Sequence, residues 1–130
     1  MRVNITDATA SGRETSRLLL DDVPNPILLR DLIRHRVREE VAVFNARPSR
    51  HFNGLVRPTD SESALNGYAL LPRPRRLNWE AQARAAIDAF KHNGFFVFVG
   101  DRQIEDLDEE LALADTDVVS FVRLVPLVGG

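Results

Sequence analysis

The chain has 130 residues, 44% apolar and 28% charged, a size and composition suited to one globular domain with room for an insertion. Its formal net charge of -2 gives no general attraction to nucleic acid or anionic membranes. The absence of cysteine excludes disulfides, thiolate metal sites and a thiol nucleophile.

The opening Met1-Arg2-Val3-Asn4-Ile5-Thr6-Asp7 lacks the apolar core of a secretory signal, and no later run has the length of a membrane span. The expectation is a cytoplasmic protein with no membrane partner. Residues 2–7 and 15–21 carry strand-like side chains around the turn-rich Ala8-Thr9-Ala10-Ser11-Gly12-Arg13 and predict a β-hairpin. Asn25-Pro26 reads as a helix start, with Asn as cap and Pro in the first turn. Beyond it Leu29, Ile33, Val37, Val41 and Phe44 recur at helical spacing, predicting a helix over 26–45. On its other face His35 with Glu39, and Arg36 with Glu40, are spaced for weak surface pairs.

Between 47 and 77, Pro48, Pro58, Pro72 and Pro74 with Gly54 and Gly67 break the periodicity and predict loop with one or two short strands. A second helix is expected from the cap Asn78 to the stop at Asn93-Gly94, with Trp79, Ala83, Ala86, Ile87 and Phe90 on its apolar face. Phe95-Phe96-Val97-Phe98-Val99 is a buried or interface strand, turned by Gly100-Asp101 towards Arg102-Gln103-Ile104. An acidic stretch, Glu105-Asp106-Leu107-Asp108-Glu109-Glu110-Leu111, follows. A last strand is expected over 117–125, and Pro126-Leu127-Val128-Gly129-Gly130 leaves the sheet because proline has no amide to donate.

The order hairpin, helix, strand, tight turn, acidic connection and last strand ending in Gly-Gly resembles the β-grasp fold of ubiquitin and of the bacterial sulfur carriers that serve thiamine and molybdopterin synthesis. The likeness is strongest over Phe95 to Gly130, carried by Val97-Phe98-Val99-Gly100-Asp101-Arg102-Gln103-Ile104-Glu105-Asp106 and the Pro126-to-Gly130 tail. It implies an α+β class: a ubiquitin-like β-grasp with a mixed sheet packed on a helix, over residues 1–125. The segment 47–94, with its second helix, is then an insertion, and 126–130 a flexible diglycine tail. The tail departs from ubiquitin in having only Arg123 nearby, while the apolar Leu127-Val128 pair is similar to the sulfur carriers.

The resemblance implies no intrinsic catalysis and no intrinsic cofactor. A partner adenylating enzyme would use ATP to activate the carboxylate of Gly130, which the sequence supplies without trimming, and a conjugating enzyme would pass it to target proteins as a bacterial ubiquitin-like protein modifier. A deconjugating protease is a further expected partner. Glycine suits this chemistry because no Cβ blocks approach through a narrow channel. Gly129 and Gly130 are thus the conjugation residues, and Arg123, Leu124, Pro126, Leu127 and Val128 are candidate partner contacts. Lys91, the only lysine, is a candidate acceptor of self-conjugation. The alternatives are a sulfur carrier with a C-terminal thiocarboxylate and a non-conjugated β-grasp interaction module.

Other patterns point less far. Arg47, Arg50, Arg57, Arg73, Arg75 and Arg76 make the middle basic, but Phe52 and Tyr68 are few aromatics for base stacking, so a solvated or protein-binding surface is preferred to a nucleic-acid one. The acidic stretch 101–117 reads mostly as solvated, with docking to a basic partner suggested by the resemblance. His35, His51 and His92 lack ligand spacing and no metal site is assigned. Serines and glycines form no nucleophile elbow, phosphate loop or dinucleotide fingerprint. The last strand is apolar on both faces, Val119, Phe121 and Val125 against Val118, Val122 and Leu124, with burial favoured over an exposed patch. Trp79 is expected in the core.

Overall fold

Strand alternation organises the structure from its first residues. In the computed structural model, which describes residues 1–59 and 69–124, Val3, Ile5 and Asp7 are buried while Arg2 and Asn4 are exposed. They belong to β1 (Val3–Thr9), which pairs antiparallel with β2 (Glu14–Leu20), as the hairpin spacing predicts. Gly12 closes that hairpin at φ +89°, a conformation that costs glycine little. A register shift between Asp7 and Ala8 bends the strand as a bulge does.

The remaining elements are β3 (Ile27–Leu28), α1 (Leu29–Ala46), β4 (His51–Phe52), β5 (Ala69–Leu70), α2 (Trp79–Lys91), β6 (Phe95–Val99), β7 (Arg102–Ile104), β8 (Glu110–Leu111) and β9 (Val118–Arg123). The chain divides into two compact units, Met1–Leu32 with Ala89–Gly130, and Ile33–Asp88. In the first unit five of the described strands form a mixed sheet in the order β2-β1-β9-β6-β7, and β3 and β8 pair separately. β9 runs parallel to β1 and antiparallel to β6. The described architecture is α+β, and its sheet is compatible with a β-grasp-like arrangement.

The core of this unit follows from the period of two. Val3, Ile5, Val97, Val119 and Phe121 are at most 2% exposed. Phe121 meets Phe95, and Phe95 meets Phe90, each at 5.8 Å between ring centroids. Gly100, at φ +58°, takes the first place of the two-residue turn between β6 and β7, as a Gly-first hairpin turn requires.

The start of α1 differs from expectation. Asn25 is not its cap: the Asn25 side-chain amide donates to the Leu113 carbonyl at 2.9 Å and its oxygen accepts from the Leu113 amide at 3.0 Å. The Asn25-Pro26 peptide is cis, and Ile27–Leu28 pair with Leu111 and Glu110 as β3 and β8. The helix begins only at Leu29. The Leu29 and Arg30 amides donate to the carbonyls of Glu109 and Leu107 at 3.0 and 2.8 Å, which meets the unpaired amides of a helix start without a side-chain cap.

In the second unit, β4 pairs with β5, within the region where short strands are expected. Leu71 and Phe52 are buried, and Phe52 packs edge-on against Phe44 at 5.2 Å. The pair Arg36 and Glu40 is not a surface pair. Arg36 is 1% exposed, and its Nε donates to Glu40 Oε1 at 3.2 Å. The same carboxylate oxygen lies 3.4 Å from the Leu55 amide. Both residues fall in the register of the stripe Leu29, Leu32, Ile33, Val37 and Val41, so the helix carries them inward.

The ends of α2 match the sequence expectation. Asn78 Oδ1 accepts from the Ala81 amide at 3.0 Å, a true N-cap. At the other end Asn93 sits at φ +59°, its amide donating to Phe90 O at 3.1 Å and that of Gly94 to Ala89 O at 2.7 Å. This is the paired closure of a Schellman motif. A Cβ on Gly94 would meet the Ala89 carbonyl oxygen at 3.1 Å.

Candidate functional site

The candidate site is the end of β9, where the central strand of the sheet gives way to the tail. Register places Arg123 between Thr9 of β1 and Phe95 of β6. Its guanidinium lies 3.6 Å from Asp7 Oδ2. Asp7 is 4% exposed and accepts the Ser16 hydroxyl at 2.9 Å. A carboxylate so far from water requires such partners. Arg123, a candidate partner contact, is half-buried and its charge is paired with the first hairpin. Leu124 follows it and is 45% exposed. Pro126, Leu127, Val128, Gly129 and Gly130 lie outside the described residues.

The sheet face opposite the core is built by the same register. Leu19, Asn4 and Val118 form one row, Arg17, Thr6, Ser120 and Phe98 the next, and Ala8, Val122 and Phe96 a third. Thr6 and Ser120 share a hydroxyl hydrogen bond of 2.9 Å across the parallel pair. Leu19 is 55% exposed and Val118 37%. Covering of the second face of β9, the favoured expectation, thus fails at Val118 and Leu124, whereas Val122 is half-buried. Arg17 on this face is bonded to Glu14; that hydrogen bond, and then the carboxylate charge, raise its guanidinium above its ordinary value.

Lys91 is the last residue of α2 and is exposed. It stands at a cleft of about 490 Å³ whose floor includes Phe95 and Ile104 and whose rim includes Arg30, Glu105 and Asp106. The acidic connection beside it is partly committed to structure: Arg30 Nε donates to Asp108 Oδ1 at 3.2 Å, and Arg102 to Glu109 at 2.5 Å. Its other carboxylates, Glu105, Asp106 and Glu110, are exposed, as a solvated stretch should be.

One group went unread in the sequence. Trp79 is half-buried rather than core, with the guanidinium carbons of Arg34 and Arg38 at 5.8 and 5.4 Å from its ring centroid. The i, i+4 spacing of two arginines on the polar side of α1 was the available signal; their convergence on one ring 41 or more positions away was not legible.

Among the described residues no group of three or more His, Asp or Glu side chains is placed to hold a metal ion, and no helix is long and apolar enough to cross a membrane. Comparison with known proteins finds no match to this chain among family models, curated proteins or solved structures.

Proposed function

We propose that this chain is a ubiquitin-like β-grasp modifier, activated at Gly130 by a partner adenylating enzyme and conjugated to target proteins. The observation that supports the reading is the sheet order β2-β1-β9-β6-β7, with the parallel β1 and β9 at its centre. That order makes the last strand the most deeply held one and directs the chain out of it at Leu124. A strand paired on both sides gives a partner enzyme a rigid surface to dock against.

The chemistry is carried by the carboxylate of Gly130. It attacks the α-phosphate of ATP in the partner enzyme, forming an acyl-adenylate and releasing pyrophosphate. An enzyme thiolate then displaces AMP to give a thioester, and a target amine displaces the thiol to give an amide. This chain contributes the acyl group and the docking surface, and no catalytic residue. The cytoplasm, where ATP is available, is its proposed compartment.

The apolar Leu127-Val128 pair before the glycines favours a second reading, a sulfur carrier in which sulfur replaces one carboxylate oxygen at Gly130. Intact masses separate the two. An N-terminally tagged chain is isolated from its native cells under reducing conditions, beside a control lacking Gly130. Glycine-dependent species heavier by whole proteins are the expected result. A shift of one oxygen-for-sulfur exchange would replace this reading with sulfur transfer, and finding neither would favour a non-conjugated interaction module. Self-conjugates joined through a side chain should vanish in Lys91→Arg, because Lys91 is the single lysine.

A further inference from the structure

We propose that Arg34, Arg38 and Trp79 form a docking site for an acidic peptide segment of a partner protein. All three belong to the same compact unit, Ile33–Asp88. Arg34 and Arg38 are exposed, one turn apart on α1, and both guanidinium carbons lie within 6 Å of the Trp79 ring centroid, at 5.8 and 5.4 Å. Among the described residues neither has a carboxylate partner.

Three other arginines of the unit are committed elsewhere: Arg36 to Glu40, Arg50 to the Leu71 carbonyl at 2.7 Å, and Arg75 to the Thr59 carbonyl at 2.6 Å. Arg34 and Arg38 instead lie over a ring, and a cation–π contact uses none of the guanidinium N–H donors that a carboxylate needs. A guanidinium edge forks onto a carboxylate through two parallel hydrogen bonds. Because the ring already restrains the side chains, less rotamer entropy is lost when a ligand docks.

The surrounding charge has the matching sign. Ile33–Asp88 carries ten arginines against six acidic residues, a formal +4, which favours an acidic segment at this surface once it is within about a Debye length. Nucleic acid is the poorer fit. The Trp79 ring is taken by two arginines, and Phe52 is 4% exposed, so among the described residues of this unit neither is open for base stacking.

Trp79 is the only tryptophan, so its emission reports on the site directly. The full chain is titrated, at low salt, with a ten-residue Asp/Glu-rich peptide, a neutral Ser/Gln peptide of equal length and a ten-nucleotide single-stranded RNA. Expected is a saturable emission change with the acidic peptide alone, weakened by added salt. R34Q/R38Q should lower that affinity about tenfold or more, as loss of a central contact does. R34K/R38K, which keeps the charge but not the fork, should fall between. R47Q/R73Q, removing equal charge at exposed positions, should leave most of the affinity. Equal loss in R47Q/R73Q, no response to the acidic peptide, or tighter binding of RNA would overturn the proposal. So would emission that depends on the chain's own concentration and is lost in R34Q/R38Q, since the occupant would then be a second copy.

Discussion

The two compact units solve the problem of a stable interior differently. Met1–Leu32 with Ala89–Gly130 carries seven basic and thirteen acidic residues, a formal -6, against the +4 of Ile33–Asp88. The acidic unit is held by strand alternation, with Val97, Val119 and Phe121 each 0% exposed. The basic unit buries a cation beside its apolar contacts, Arg36 paired to the half-buried Glu40, where the acidic unit buries an anion, Asp7 beside Arg123. The contrast suggests a division of work: an apolar sheet fixes where the chain leaves β9, while an arginine-rich unit offers cations at its surface.

The sharpest way to break this comparison is to delete the centre of each interior. Phe121→Ala should destabilise the chain by about 3–5 kcal/mol through a cavity among Phe95 and its neighbours, read by denaturant unfolding. Arg36→Ala should cost less, about 1–3 kcal/mol, for a different reason: the buried guanidinium and its hydrogen bond to the half-buried Glu40 carboxylate are both lost. Replacing both partners, Arg36→Met with Glu40→Met, should recover much of that loss. If the double variant is as unstable as Arg36→Ala, the pair is not what holds the interior.

Smaller effects sharpen the picture. Asp7→Ala removes the acceptor of the Ser16 hydroxyl and the carboxylate beside the Arg123 guanidinium, and should cost about 1–3 kcal/mol. Hydrogen exchange should then quicken most at the end of β9, the root of the tail. Asn78→Ala removes the cap of α2 and should cost about 1 kcal/mol, with its effect confined to the first turn of that helix. An Asn78→Ala loss as large as that of Phe121→Ala would mean that α2 is not an independently nucleated element.

These residues also show where a sequence is readable. The hairpin, the cap and stop of α2, the Gly100 turn and the central last strand all carry their signals within a few neighbouring positions. What escaped reading depends on distant partners. Asn25 looks like a cap locally, yet its amide bonds are made to Leu113, far along the chain. Two-residue strands such as β3 and β8 have no periodicity to detect. The burial of Arg36 and half-burial of Glu40 were legible only by following the stripe register instead of their chemical type. Of the candidate site, Arg123, Leu124 and Lys91 are in view, and Arg123 proves tied to Asp7, a pairing set by the fold and not by spacing.

The most direct test of the modifier reading uses the position of Arg123. After trypsin cleaves behind it, every acceptor amine would retain Leu124-Val125-Pro126-Leu127-Val128-Gly129-Gly130, a seven-residue remnant readable by mass spectrometry of total protein from the native cells. The account predicts that remnant on lysines of other proteins, and its loss when Gly130 is deleted. Its absence, with the chain abundant in the same sample, would contradict conjugation.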